Sequence, residues 1–168
     1  MRRAVCNRML SRKVINGEAD MQLSSFCMLD VACCSPRTTA LEAAHLMRKK
    51  HTGDLVVIDD EEKPSPLGVI TDRDIVVEVL GKGLDPAVTT VGALIRTPVV
   101  VAEEGEDSSQ VLERMRTHGV RRVPVLGAGG KLVGIVTVDD MLKRLAADAA
   151  VLTHIVSQEQ SHEARTRR

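Results

Sequence analysis

The sequence predicts a mixed α/β protein, of the α+β kind, in which a β-α-β-β-α unit occurs twice and the copies pack about a pseudo-two-fold axis. Three observations carry this reading. Leu67-Gly68-Val69-Ile70-Thr71-Asp72-Arg73-Asp74-Ile75-Val76 returns, position for position, as Val133-Gly134-Ile135-Val136-Thr137-Val138-Asp139-Asp140-Met141-Leu142. Leu55-Val56-Val57-Ile58 returns as Val123-Pro124-Val125-Leu126 and Met47 as Met115, both at one slightly longer spacing. The segment 31–34 returns as 98–101 at a spacing between the two. The slip between these spacings falls in loops at 59–66 and 127–131, where length changes are tolerated. A single unit of about 60 residues buries only a thin core, so two units packed sheet to sheet are expected.

Each unit reads in the same order. A short strand comes first, over 31–34 and 99–102. A helix follows, over 39–50 and 108–118; Thr39 with Glu42, and Asp107 with Gln110, have capping-box spacing at its start. Leu41, Ala44 and Met47 form the apolar stripe of the first helix, and Val111, Leu112 and Met115 that of the second. Two strands come next, 55–58 with 67–71 and 123–126 with 132–137. The loops between them, Asp-Asp-Glu-Glu-Lys-Pro-Ser-Pro and Gly-Ala-Gly-Gly-Lys, are rich in turn residues. A second helix closes each unit, over 72–80 and 138–147, and Gly81 and Gly83 stop the first. The organisation is an N-terminal extension (1–20), a first repeat (28–88), a second repeat (95–150) and a C-terminal helix extension and tail (151–168). Residues 1–17 hold five basic residues and no acid, which reads as a disordered extension, as upstream sequence before a start at Met21, or as a basic tail. Residues 157–168 are polar and are expected to fray.

Composition excludes several function classes. The 168 residues carry 23 Lys+Arg against 23 Asp+Glu, and the repeat core, 21–150, has 15 basic against 19 acidic residues. That balance argues against a nucleic-acid binder. One Phe and no Tyr or Trp argue against base stacking on aromatic rings and against aromatic cages. Apolar runs stop at four residues, too short for a membrane span or a signal core. With Cys6, Cys27, Cys33 and Cys34 unsuited to a disulfide framework, a soluble cytosolic protein with reduced thiols is expected.

Gly68-Val69-Ile70-Thr71-Asp72-Arg73-Asp74-Ile75, repeated as Gly134-Ile135-Val136-Thr137-Val138-Asp139-Asp140-Met141, resembles the signature of CBS domains, and Arg121-Arg122-Val123-Pro124-Val125 resembles the strand that precedes it. Gly83-Leu84-Asp85-Pro86 after the first copy is similar to bacterial stand-alone two-CBS proteins, and the resemblance covers 28–150. It implies a Bateman module: a regulatory sensor, not a catalyst, that takes an adenosine-containing ligand (AMP, ADP, ATP or a related adenosyl compound) in clefts between the repeats. The alternative is a structural or interaction module with empty clefts. No cofactor is implied beyond such a ligand, and a protein partner is implied but not identified.

Thr71 with Asp74, and Thr137 with Asp140, lie at strand-to-helix junctions. Thr-x-x-Asp is a capping box in its own right. The junction also presents free amides that suit phosphate, and an Asp there can accept both ribose hydroxyls, the roles the resemblance carries onto these four residues. Arg73, Arg121 and Arg122 are candidate phosphate partners or solvated surface charges, and His118 is a candidate phosphate contact or a helix-end polar residue. Asp54 stands in the slot of Arg122 and Val56 in that of Pro124, so the clefts are expected to differ. Without aromatic rings, a purine has to sit between aliphatic side chains.

Other signals are weak. Gly127-Ala128-Gly129-Gly130-Lys131 reads as a hairpin, not a phosphate loop. Cys33 and Cys34 point to opposite faces of a strand, one to the core and one exposed. His45, His51 and His118 lack zinc spacing, and no nucleophile–base set is visible. Leu145, Ala149, Leu152 and Val156 form a stripe that runs beyond the second repeat. It either caps the chain's own core or pairs with a second copy, and a homodimer is expected.

Overall fold

The computed structural model describes Leu23 and residues 30–59, 64–95 and 98–166; Cys6, Cys27, the basic segment 1–17 and acidic loop residues 60–62 lie outside the described residues. The β-α-β-β-α order occurs twice: β1 (Cys33–Cys34), α1 (Ala40–Lys50), β2 (Asp54–Ile58), β3 (Pro66–Thr71) and α2, then β4 (Ala102–Glu103), α3 (Ser108–His118), β5 (Arg122–Leu126), β6 (Leu132–Thr137) and α4 (Val138–Thr166). Helix α2 starts as an α-helix (Asp72–Asp74) and widens into a π-helix (Ile75–Leu80). Each repeat forms a three-stranded sheet, in the orders β1-β2-β3 and β4-β5-β6. The first strand runs parallel to the second and the second antiparallel to the third. In register, Asp54 faces Thr71 across one ladder and Arg122 faces Thr137 across the other.

Each sheet packs its own helices on one face. In the first repeat Ala40, Ala43, Met47, Leu55, Val57, Ile70 and Val79 close around Val91; in the second Ala102, Val111, Met115, Val123, Val125 and Val136 close around Leu23. The step from Leu23 to Val91 equals the step from Leu55 to Val123, so the two are repeat equivalents. Their amides make matching bonds, to Glu106 O (3.3 Å) and Thr38 O (2.8 Å). The second repeat's core is thus filled by a residue that lies ahead of β1 in the chain. A third cluster, Val56, Ile58, Leu132 and Ile135 with Val31, Cys33 and Val69 against it, joins the repeats, with Leu132 N bonded to Pro64 O at 2.8 Å.

Several local expectations need correction. On α1 the buried stripe is Ala40, Ala43 and Met47, while Leu41 is 42% exposed. The methyl-sized residues face the sheet because they allow the helix to approach closely. Leu112 is likewise exposed, and Ser108 takes the buried place. Thr39 and Glu42 form the full capping box, but Asp107 caps α3 through the amide of Ser109 rather than by exchange with Gln110. The β-branched run Ile75-Val76-Val77 crowds an α-helical turn, and α2 takes i→i+5 bonding, Gly81 N to Val76 O at 2.8 Å. Gly83, not Gly81, has the positive φ that ends the segment.

Cys34 is buried in the first core, and burial, with Cys33 beside it, pushes its thiol up to about 12. Cys33 is half-buried against the inter-repeat cluster rather than exposed. The tail does not fray at 157: α4 continues to Thr166. Its stripe covers none of the chain's own core, since Leu142, Leu145, Leu152, Ile155 and Val156 are all exposed. Val76 and Leu80 of α2 are exposed as well.

Candidate functional site

Between the repeats lies a cleft of about 280 Å³, near the lower edge of the roughly 300–1,000 Å³ usual for small-molecule sites. Its walls come from both units. Gly68, Val69 and Ile70 of β3, Asp74 and Glu78 of α2, and Leu94 and Ile95 packed on the first core form one side; Pro98 to Val100, Val120 and Arg122 form the other. The aliphatic side chains give a slot for a flat apolar group, and the polar ends are Asp74, Glu78 and Arg122. Gly68 is needed here for space: a Cβ would stand 2.9 Å from Ile95 carbons.

Thr71 and Asp74 form the complete reciprocal cap. Asp74 Oδ2 accepts from Thr71 N (2.9 Å) and Thr71 Oγ1 (2.7 Å), and Asp74 N donates to Thr71 Oγ1 (3.2 Å). Among the described residues the Asp74 carboxylate has no side-chain partner besides Thr71, and Asp74 lines the cleft. At the equivalent place in the second repeat Thr137 Oγ1 donates to Asp140 Oδ2 (2.7 Å), but Lys143 Nζ stands 3.3 Å from Asp140 Oδ1. The two motifs therefore share the threonine–aspartate side-chain bond and differ in two ways: among the described residues only Thr71 also donates its amide to the carboxylate, and only Asp140 has a lysine at its second carboxylate oxygen.

The arginines separate. Arg122 lines the cleft beside Asp74, and its Nε lies 3.3 Å from the carboxylate of Asp54 in the other repeat. Arg121 is exposed and bonded to Asp139 at 3.1 Å, and Arg73 is exposed outside the cleft lining. His118 Nδ1 is 2.9 Å from Arg114 O on its own helix. Sequence reasoning missed Glu78, Leu94, Ile95 and Val120. Val99 and Val100, expected within a strand, are wall residues instead: β4 begins at Ala102 and leaves them to the cleft. The one signal for Glu78 is its place one helical turn after Asp74.

A second hollow, about 310 Å³, lies between Glu103 to Gly105 and the Gly127–Gly130 turn, away from both Thr-x-x-Asp motifs. Gly129 and Gly130 both have positive φ and Gly127 N bonds Lys131 O, as a strand-joining hairpin requires. Among the described residues no three His, Cys, Asp or Glu side chains come together as a metal site, and no helix is long and apolar enough to cross a membrane.

Comparison with known proteins agrees with the internal repeat. The CBS domain family matches residues 23–81 and 91–147. The "Uncharacterized protein MK0525" of Methanopyrus kandleri is 37% identical over 114 residues, covering 68% of this chain; the chain spans only 57% of that protein. Hypoxic response protein 1 of Mycobacterium tuberculosis is 37% identical over 121 residues, 72% of this chain and 82% of that one. The crystal structure of Hypoxic Response Protein I, which holds two coordinated zinc ions, superposes with a TM-score of 0.64 at 34% identity, over 73% of this chain and 97% of that one. The CBS domain pair of protein MJ0100, at 22% identity and a TM-score of 0.66 over 76% of this chain and 97% of that one, has the same fold.

Proposed function

The chain belongs to the CBS domain family, with two tandem copies, and on that premise we propose that it is a regulatory module that binds an adenosine-containing ligand in the cleft between its repeats. The observation that carries this reading is the convergence of Asp74 from one repeat and Arg122 from the other on one aliphatic-walled cleft. The base fits between Val69, Ile70 and Ile95 on one hand and Val99 and Val100 on the other. Ribose hydroxyls donate to Asp74, whose other oxygen is already spent on Thr71. A phosphate meets the Arg122 guanidinium. The role is binding rather than chemistry: a ligand that favours one packing of the repeats shifts the population toward it, and a partner protein reads the change.

The exposed apolar residues of α2 and α4 favour a homodimer built through these helices, since Val76 and Leu142 are equivalent residues of the two repeats. A cytosolic setting is in keeping with thiols rather than disulfides at Cys33 and Cys34.

Titration calorimetry with adenosine, AMP, ADP, ATP, NAD and an adenosyl sulfonium compound tests the ligand class. Binding of at least one, weakened in Asp74→Ala by roughly 1.5–3 kcal/mol as for a charge-assisted hydrogen bond, is expected. Absence of binding by all six overturns the reading, and undiminished affinity in Asp74→Ala removes the ribose role. Light scattering coupled to gel filtration tests the dimer; a monomer at micromolar concentration overturns it.

A further inference from the structure

Positions 54 and 122 are equivalent in the internal repeat, the first residues of β2 and β5, each across its ladder from the threonine of a Thr-x-x-Asp motif. About a pseudo-two-fold axis such positions approach each other, and identical charges there would repel. This chain places an acid at one and a base at the other. Arg122 Nε lies 3.3 Å from Asp54 Oδ1, with the two side chains 31% and 15% exposed. Asp54 Oδ1 also accepts from Thr52 Oγ1 at 3.1 Å, which holds the carboxylate in place. Arg122 is at the same time the cationic side chain of the cleft lining, where Asp74 and Glu78 are the acids.

Resting on the ligand class proposed above, we infer that Asp54 is a specificity-determining residue: it competes with the ligand's phosphate for Arg122, and so sets how strongly the cleft prefers a phosphorylated adenosine to the bare nucleoside. An anion reaching Arg122 must share or displace the Asp54 carboxylate, and whatever it gains is reduced by the loss of that ion pair. Adenosine, which has no anion to offer, leaves the pair intact. The pair also spans the repeats, so a phosphorylated ligand loosens a contact between them that adenosine leaves closed.

The test is calorimetric titration of the full chain with adenosine and with AMP, in the wild type, Asp54→Asn and Arg122→Gln. Asparagine keeps an oxygen for Thr52 and removes the charge. The ratio of adenosine Kd to AMP Kd, read within each variant, is expected to rise about tenfold in Asp54→Asn and to fall toward one in Arg122→Gln; far-ultraviolet circular dichroism checks that each variant folds. Asp54→Ser gives the same comparison if the asparagine variant does not fold. An unchanged ratio in folded Asp54 variants that still bind adenosine overturns this inference and leaves the ligand class standing. Failure of both ligands to bind the wild type overturns this inference, and the ligand class falls with it only if ADP, ATP, NAD and the adenosyl sulfonium compound fail as well.

Discussion

Replacing Ile135 by alanine tests whether the two repeats are held as one body. Ile135 is 6% exposed and sits with Val56, Ile58 and Leu132 in the cluster between the sheets. The substitution deletes Cγ1, Cγ2 and Cδ1. At about 0.8 kcal/mol for each buried methylene, the transfer term is roughly 2.4 kcal/mol. If the walls do not move, a void of roughly 80 Å³ adds up to about 2 kcal/mol at about 24 cal/mol per Å³. The expected loss is therefore about 2.5–4.5 kcal/mol. With no Trp or Tyr to report by fluorescence, urea unfolding is followed by far-ultraviolet circular dichroism. For a slope of about 2 kcal/mol per molar urea, the midpoint falls by about 1–2 M. Val88→Ala, at a side chain 71% exposed, is the control and is expected to stay within about 0.5 kcal/mol of wild type. A loss under about 1 kcal/mol for Ile135→Ala would refute the reasoning, since the sheets would then not be packed through this residue.

Further outcomes follow from the same contacts. Leu23→Ala should destabilise the chain by about 2–5 kcal/mol in urea, and Leu23→Met by under about 1.5 kcal/mol, because the side chain is wholly buried in the second core; a negligible effect of the alanine would remove Leu23 from that core. Gly68→Ala should drive Ile95 into the cleft and weaken adenosine binding several-fold, with a stability loss of about 1–3 kcal/mol from overpacking; unchanged affinity in calorimetry would contradict the wall assignment. Burial would raise the Glu106 carboxyl, but bonds from the Arg114 side chain and the Glu103 amide bring it below the ordinary 4.5. A depressed carboxylate stabilises above its unfolded pKa and the gain disappears as pH falls through the folded one. The stability gap between wild type and Glu106→Gln, roughly 1.5–3 kcal/mol at pH 7, should close on acidification below about 4.5; a constant gap refutes the pairing. The Cys34 thiol, at about 12, stays protonated while the unfolded chain ionises near 9.0, so wild type should lose stability relative to Cys34→Ala as pH rises from 9.0 toward 12; parallel curves would exclude it.

The repeat was legible because the β3-to-α2 junction recurs almost intact, and β6 and α3 have the bounds their patterns predict, 132–137 and 108–118. What escaped was whatever has no period. Leu23 and Val91 are single apolar residues outside any stripe, and only their cores show them as equivalents. On α1, hydrophobicity pointed to Leu41, whereas close approach to the sheet selects the alanines one turn-face away. The widened turn of α2 follows from crowding that periodicity does not register. Of the seven residues singled out for the ligand, Asp74 and Arg122 come together in the described cleft; Thr71 and Thr137 brace their aspartates, Asp140 meets Lys143, and Arg73 and Arg121 lie exposed. Contacts between repeats, such as Arg122 with Asp54, depend on how two units are set against each other, which neither unit's sequence states alone.

The place of Leu23 governs the order in which the chain can finish. As synthesis proceeds from the N-terminus, the first repeat has all its buried core side chains once Val91 has emerged, because its filler follows it. The second repeat is in the opposite position: its filler was made before β1, and it must wait, uncommitted, until Glu106 and α3 exist to receive it. Closing so long a loop adds little entropy beyond a shorter one, since the term grows only with the logarithm of length. The consequence lies in connectivity. The last core to close uses a residue ahead of β1, so a second repeat severed from the segment before the first has a hole where Leu23 belongs.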